Sequence, residues 1–383
     1  MARSVLVVGA GIGGLVAARA LALRGHRVTL VERSPRFEAV GAGIILSFNA
    51  MAVLDALGVD VRPVGQRLLR MDTADEAGTT LTGIDLGALE GELGQVYAFH
   101  RGELHEALAA RLPPEVELRL GTELTGLSSS ADGVLARFQG ADPGRDAGRW
   151  DLVVGADGLR SRVRALCGHD VALRYSGETC WRAVVPAPEG TAAVEAWGRD
   201  GARFGTVPLP GGRAYLFLVL PCAADTPTPS WEAFAARYGA FGGLAATAWP
   251  QVRPEGLLHH DLNELAGIEW GTPRVWLLGD AAHGMTPNLG QGAGMAVEDA
   301  AALAMCVGDD LDVGFGRYTA SRHARVHTIK ENSRRFGMVA RLGNPALRWL
   351  RDRVVRLTPA STNHATMRSI AAPGVALARE WRT

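Results

Sequence analysis

The sequence predicts an α/β chain with a parallel sheet wound by helices, a second and antiparallel sheet, and a helical C-terminal part. Three observations carry this prediction. Short β-branched apolar runs pass directly into glycine-rich turns and helical patterns, the middle of the chain alternates as strands do, and the residues after 309 read as helix. At 383 residues the chain exceeds one ordinary domain of about 150 residues. The expected division is a discontinuous first domain from 1–70, 96–174 and 266–308, a second from 71–95 and 175–265, and C-terminal helices over 309–383.

The first element is Ser4-Val5-Leu6-Val7-Val8, a buried-strand pattern. It runs into Gly9-Ala10-Gly11-Ile12-Gly13-Gly14, with glycine at the first, third and sixth places of G-x-G-x-x-G. A helical pattern over Leu15–Arg24 follows, stopped by Gly25, and a strand over Arg27–Val31 ends in Glu32. Gly9 permits the tight turn, Gly11 lets backbone approach a pyrophosphate, and Gly14 lets helix and strand pack closely. The helix N-terminus offers unpaired N–H groups and a positive dipole end to phosphate. Glu32 can accept from both hydroxyls of an adenosine ribose, so an unphosphorylated ribose fits better than a 2′-phosphate. The first domain is therefore Rossmann-like and binds a dinucleotide, FAD or NAD on these residues alone.

Two later clusters repeat the device. Asp151-Leu152-Val153-Val154-Gly155 delivers Ala156-Asp157-Gly158, and Val275-Trp276-Leu277-Leu278 delivers Gly279-Asp280-Ala281-Ala282-His283. Pro287 and the loop Gly290–Met295 then open an apolar helical run through about Cys306. Each brings an acid to the C-terminal end of a strand, where ligands sit in open α/β sheets.

Together these clusters resemble the group A flavoprotein monooxygenases, the p-hydroxybenzoate hydroxylase-like FAD-dependent aromatic hydroxylases, over roughly residues 3 to 305. The resemblance implies that Gly9, Gly11, Ile12, Gly13, Gly14, Glu32 and Arg33 hold the ADP half of a tightly bound FAD. It assigns Arg101 to the flavin phosphate and ribityl region, Asp157 to FAD and to the pyrophosphate of passing NADH or NADPH, and Asp280 to the ribityl hydroxyls. Gly292, Ala293, Gly294 and Met295 line the pyrimidine edge of the isoalloxazine, Leu124 touches the adenine through its backbone, and Pro287 lies beside the flavin C4a position. The positive end of the helix starting near Gly292 suits the charge of reduced flavin, worth about 0.3–2 kcal/mol. The implied reaction hydroxylates an aromatic or other electron-rich small molecule with O₂ through a flavin C4a-hydroperoxide. His283 reads better as a polar residue satisfying its loop than as a base.

The substrate domain contains the strand patterns Cys180–Pro186, Arg203–Leu209 and Ala214–Leu220, the last two joined by a Pro210-Gly211-Gly212 turn. An antiparallel sheet covering the flavin is expected, with Trp181, Arg182, Phe204, Tyr215 and Phe217 as candidates for its substrate-facing wall. Arg182 stands out, because a cation there could fix a phenolate or carboxylate. His323–Leu357 reads as two helices divided by Pro345. Their basic excess is read as a solvated brace between domains, with a membrane-surface helix as the alternative.

Composition narrows the classes. Forty basic and forty acidic residues cancel, which leaves no global footprint for nucleic acid. Lys330 is the sole lysine, a bias read as genomic. Four scattered cysteines without C-x-x-C, and histidines without companion ligands, predict neither a disulfide frame nor a metal site. No apolar run of 18 or more residues would span a membrane. Gly9, Gly11, Gly13 and Gly14 would break a signal helix, so the expected location is the cytoplasm. No second G-x-G-x-x-G follows a strand, so the nicotinamide binds transiently. The alternatives carried forward are a flavin-dependent epoxidase and a non-catalytic flavin-binding regulator; monomer and homodimer both stay open.

Overall fold

The computed structural model describes all residues except 38–41, 131 and 141–145. Its core is a six-stranded sheet whose central strands, Val275–Leu277, Leu152–Gly155, Ser4–Val8, Arg27–Val31 and Glu117–Arg119, lie parallel in that order. Val5, Leu6, Val7, Leu152, Val153 and Val154 are fully buried, which is why these strands read as continuous apolar runs. The first helix spans Ile12–Leu23, starting three residues before the expected Leu15. Gly13 and Gly14 therefore lie in its first turn, and a Cβ on Gly14 would come within 1.8 Å of the Gly9 carbonyl oxygen. That close approach is what the third glycine of the motif permits. Against this helix packs the helix Gly292–Cys306, where a Cβ on Gly13 would press into Leu278 and Ala296.

A second, seven-stranded sheet draws on residues 70–85 and 173–265. It is mixed where an antiparallel sheet was expected: Ala193–Trp197 runs parallel to Arg70–Asp75, because the two strands come from distant chain segments and not from one hairpin. The Leu209–Arg213 hairpin closes through Pro210, Gly211 and Gly212, the two glycines at φ +73° and +66°. One face of this sheet is covered by the helices Trp231–Tyr238 and Gly243–Ala248 through Trp181, Phe204, Leu216, Leu218, Phe234 and Tyr238. The opposite face, bearing Val184, Val207, Leu209, Tyr215 and Phe217, turns toward the first domain.

Three C-terminal helices follow, Leu311–Ala340, Pro345–Leu357 and Ala360–Arg382. Asp310 and Asn344 cap the first two with side-chain oxygens on backbone amides. The third helix packs on the helices Phe48–Ala56 and Gly292–Cys306.

Candidate active site

The three motif loops leave neighbouring strands of one sheet at the same edge. Gly9 takes φ +98°, a conformation that favours glycine, and its Cβ would lie 2.7 Å from the Ala156 carbonyl oxygen. The Gly9–Gly14 turn and the Ala156–Asp157 turn are thus in contact. Glu32 reaches the same turn: its Oε2 accepts from the Ala10 amide at 2.9 Å and its Oε1 from the Ser34 amide at 3.0 Å. At the other end, a Cβ on Gly292 would lie 3.9 Å from Asp280 Oδ1. The loops bearing Glu32, Asp157, Asp280 and Gly292 therefore lie along one edge of the sheet, at the C-terminal ends of its parallel strands.

This edge has the properties a phosphate-bearing cofactor requires. No side chain caps the helix starting at Ile12 or the helix starting at Gly292, so their first amides remain available. A Cβ on Gly11 would meet open space, which leaves backbone exposed to a ligand. Asp280 is exposed, and its carboxylate has no hydrogen-bond or ion-pair partner among the described residues. Arg33 is exposed beside Glu32; Arg101 begins the helix Arg101–Ala109, and its charge acts on Tyr215 and His260. Pro287 is exposed on the loop before Gly292, Ala293 is half-buried, and Gly294 and Met295 are buried beneath it. Leu124 is buried on the strand Thr122–Ser130.

Asp157 is engaged within its own turn. Its Oδ1 accepts from the Ser161 hydroxyl at 2.6 Å and its Oδ2 from the Arg162 and Val163 amides at 2.7 and 3.0 Å. Burial pushes its carboxyl up, and these donors offset part of the rise. Both oxygens are engaged in shaping the turn that meets Gly9.

His283 is no base in this geometry. It is fully buried and shares a 2.5 Å hydrogen bond with Asp299, which also accepts from the Gly279 amide at 3.0 Å and from Arg322 at 2.7 Å. Burial alone would raise the Asp299 carboxyl, but His283 and Arg322 outweigh it and hold it at about 2. Glu298 accepts from Arg322, Arg325 and Asn49, and Asn49 also donates to Gln291. This buried network anchors the Gly279–Gly292 loop to two helices, and sequence reasoning missed it. The available signal was a pair of adjacent acids, Glu298-Asp299, inside an otherwise apolar helix. Lys330, buried and donating to the Gly284 carbonyl at 2.6 Å, fastens the same loop.

On the covering sheet, alternation decides which candidates face the first domain. Trp181 and Phe204 do not. Trp181 stacks on His259 and meets Phe234, while Phe204 packs against Tyr238 and Phe241, all on the helical side. Side chains alternate along a strand, so their neighbours Arg182, Arg203 and Gly205 point the other way. Arg182 and Tyr215 share one face of the sheet, each acts electrostatically on the other, and burial drives the Tyr215 phenol well above its usual range. Phe217 lies over Gly205, where a Cβ would come within 1.9 Å of its ring. Arg203 is fully buried, pairs with Glu178 and Glu195, and donates to Asn288 at 3.0 Å, which ties the sheet to the loop beside Pro287. His260, opposite Cys180 in the register, shares the Arg182 face. Burial, Arg182, His259 and Arg101 hold its imidazole below the ordinary range.

Comparison with known proteins identifies the family. The family model described as an FAD binding domain matches residues 2–333. The aurachin C monooxygenase/isomerase of Stigmatella aurantiaca is 34% identical over 366 residues, covering 92% of this chain and 94% of its own. The 2-heptyl-3-hydroxy-4(1H)-quinolone synthase of Pseudomonas aeruginosa PAO1 is 35% identical over 381 residues, covering 93% and 94%. In fold, the chain superposes on Klebsiella pneumoniae HpxO complexed with FAD and uric acid, with a TM-score of 0.88, 24% identity and 97% of each chain covered. With the family model over most of the chain and relatives aligned over nearly their whole length, this chain belongs to the FAD-binding family of flavin-dependent monooxygenases that hydroxylate aromatic compounds.

Proposed function

We propose that the protein hydroxylates a bicyclic nitrogen heteroaromatic of the 4-hydroxyquinoline or 4-quinolone class, on the ring carbon next to the oxygenated one. The observation that carries this reading is that Arg182, Tyr215 and Phe217 share the face of the second sheet that turns toward the first domain. Support also comes from the quinolone in the name of a relative aligned over nearly its whole length.

FAD, reduced by NADH or NADPH and supplied with O₂, would provide the electrophilic oxygen atom. The protein's residues do the rest. Arg182 stays charged and Tyr215 stays protonated, so both can donate to the ring oxygen of the substrate. A substrate bound as its olate, the hydroxyl proton having been given up to solvent on binding, pushes electron density onto the adjacent carbon, which makes that carbon the nucleophile. Arg182 then stabilises the charge in a site with little water, where it is worth more than in solvent. Phe217 over Gly205 supplies an aromatic wall, and the uncapped helix at Gly292 would offer its first amides to the flavin. Glu32, Arg33 and the Gly9–Gly14 turn would hold the adenosine end, Leu124 the adenine, Arg101 the ribityl-phosphate region, and Asp280 the ribityl hydroxyls. Asp157 acts through the turn it shapes. Support for a cytoplasmic location is the need for NAD(P)H together with four free cysteines.

The test is NAD(P)H consumption by the FAD-loaded enzyme with 2-alkyl-4-quinolones and with hydroxybenzoates, with mass analysis of products. The reading expects faster flavin reduction with a quinolone and a product heavier by one oxygen. Coupled turnover of hydroxybenzoates alone would overturn it.

A further inference from the structure

The helix Pro345–Leu357 is built inside out for a helix lying on a folded domain. Its inward side carries Arg351 and Val355: Arg351 donates to the Ala340 carbonyl at 2.8 Å and lies over the Trp197 ring at 4.6 Å, and Val355 joins the cluster of Leu81, Trp197 and Ala340. Its outward side carries Leu347, Trp349, Leu350, Val354 and Leu357, exposed by 51, 61, 53, 58 and 76%. Leu347, Leu350, Val354 and Leu357 recur at three- and four-residue steps, so they form one stripe. No other described element covers this stripe. Exposed Arg353 stacks on Trp349 at 5.0 Å, Arg356 is paired with Asp75 at 2.8 Å, and half-buried Arg348 lies nearer the protein. The only acid of the helix, Asp352, is held by Arg351.

Two occupants of this face differ in what they need. A second copy of the chain would need about 800 Å² per partner for a standard interface. A 13-residue helix is about 20 Å long and about 10 Å wide, which offers only a few hundred Å². A lipid surface needs much less: an apolar stripe to enter the acyl boundary, an interfacial Trp, and cations at headgroup height. We propose that the helix Pro345–Leu357 docks the protein on an anionic lipid bilayer, with Leu347, Leu350, Val354 and Leu357 inserted and Arg353 against the headgroups. The protein then lies on the membrane and does not cross it, in line with the absence of any helix among the described residues long and apolar enough to span. Docking here would place a quinolone with an apolar tail within reach of the enzyme. That consequence rests on the proposed substrate, whereas the docking itself does not.

The test is flotation of the full FAD-loaded chain, without substrate, on vesicles of phosphatidylcholine with phosphatidylglycerol and of phosphatidylcholine alone. The protein should float with the anionic vesicles and detach as salt rises, since screening removes the headgroup attraction. Arg353→Gln should weaken binding about fivefold. Leu350→Glu with Val354→Glu should abolish flotation while FAD uptake and the flavin spectrum are kept, because both positions face outward. Failure to float on anionic vesicles would overturn the proposal. So would a concentration-dependent dimer in sedimentation that the Leu350→Glu, Val354→Glu variant converts to monomer, since a second copy would then own the face.

Discussion

His283 and Asp299 share a 2.5 Å hydrogen bond with both side chains fully buried, directly beneath the turn that presents Asp280. The same Asp299 pairs with Arg322 on the long helix Leu311–Ala340, so one carboxylate joins the cofactor loop to the C-terminal helices.

Removing that charge should unfold the loop from its support. Asp299→Asn leaves Arg322 with one buried partner, Glu298, where it had two, and breaking a buried pair of this kind costs about 3–5 kcal/mol. Thermal unfolding should show a drop of several degrees, and FAD should dissociate more readily during gel filtration. An unchanged midpoint would show that the network carries no stability. Because the folded Asp299 carboxyl lies near 2, below its unfolded value, its contribution is complete above about pH 4 and fades only as pH falls toward 2.

Asp280 should behave in the opposite way. With no hydrogen-bond or ion-pair partner among the described residues, Asp280→Ala should leave the stability of the FAD-free protein within about 0.5 kcal/mol of the original. FAD affinity should fall about 10- to 100-fold, the loss of a hydrogen bond to a charged group. Fluorescence titration of the FAD-free protein measures this, and unaltered affinity would remove Asp280 from the site.

The covering sheet separates function from packing one residue at a time. Arg182→Gln and Tyr215→Phe should each lower kcat/KM by about tenfold or more, at little cost in stability. Phe204→Ala, on the reverse face, should instead cost about 3–5 kcal/mol of stability. Any soluble enzyme it yields should keep its substrate preference. Steady-state kinetics beside thermal melts distinguish these outcomes.

Lys330 links stability to alkaline pH. Its burial lowers the ammonium to about 8 against an ordinary value near 10.5, with Glu264 at 3.8 Å offsetting only part of the effect. Between those values the unfolded chain binds more protons than the folded one, so stability attributable to Lys330 rises with pH over that window and is flat below it. The gain is roughly 2–3 kcal/mol. Lys330→Gln should abolish this rise relative to the parent protein in urea unfolding from pH 7.5 to 10.5, and a rise of equal size in both would refute the assignment.

Much of this edge was legible in the sequence because strand, turn, helix and acid are neighbours in the chain. Gly9 to Glu32 is a local unit, and its glycines are demanded by contacts within that unit and with the Ala156 turn. The support beneath it was not legible, since Asn49, Glu298, Asp299 and Arg322 are drawn from three helices far apart in sequence. The sole lysine was read as a trace of composition, and only its position against Gly284 shows what it does. Trp181 and Phe204 look like wall residues in the sequence as much as Tyr215 and Phe217 do.

The chain by itself determined the cofactor-binding edge, because the backbone geometry that cradles phosphates is encoded by short runs of glycine next to apolar strands. Tertiary structure decided the rest. A period of two assigns every strand residue to one of two faces, but only the packing of the helices Trp231–Tyr238 and Gly243–Ala248 determines which face is buried against them and which turns toward the first domain. Likewise, an amphipathic pattern over Pro345–Leu357 is visible in the residues. That its apolar side faces outward follows from Arg351 finding its partners, Trp197 and Ala340, on the inside.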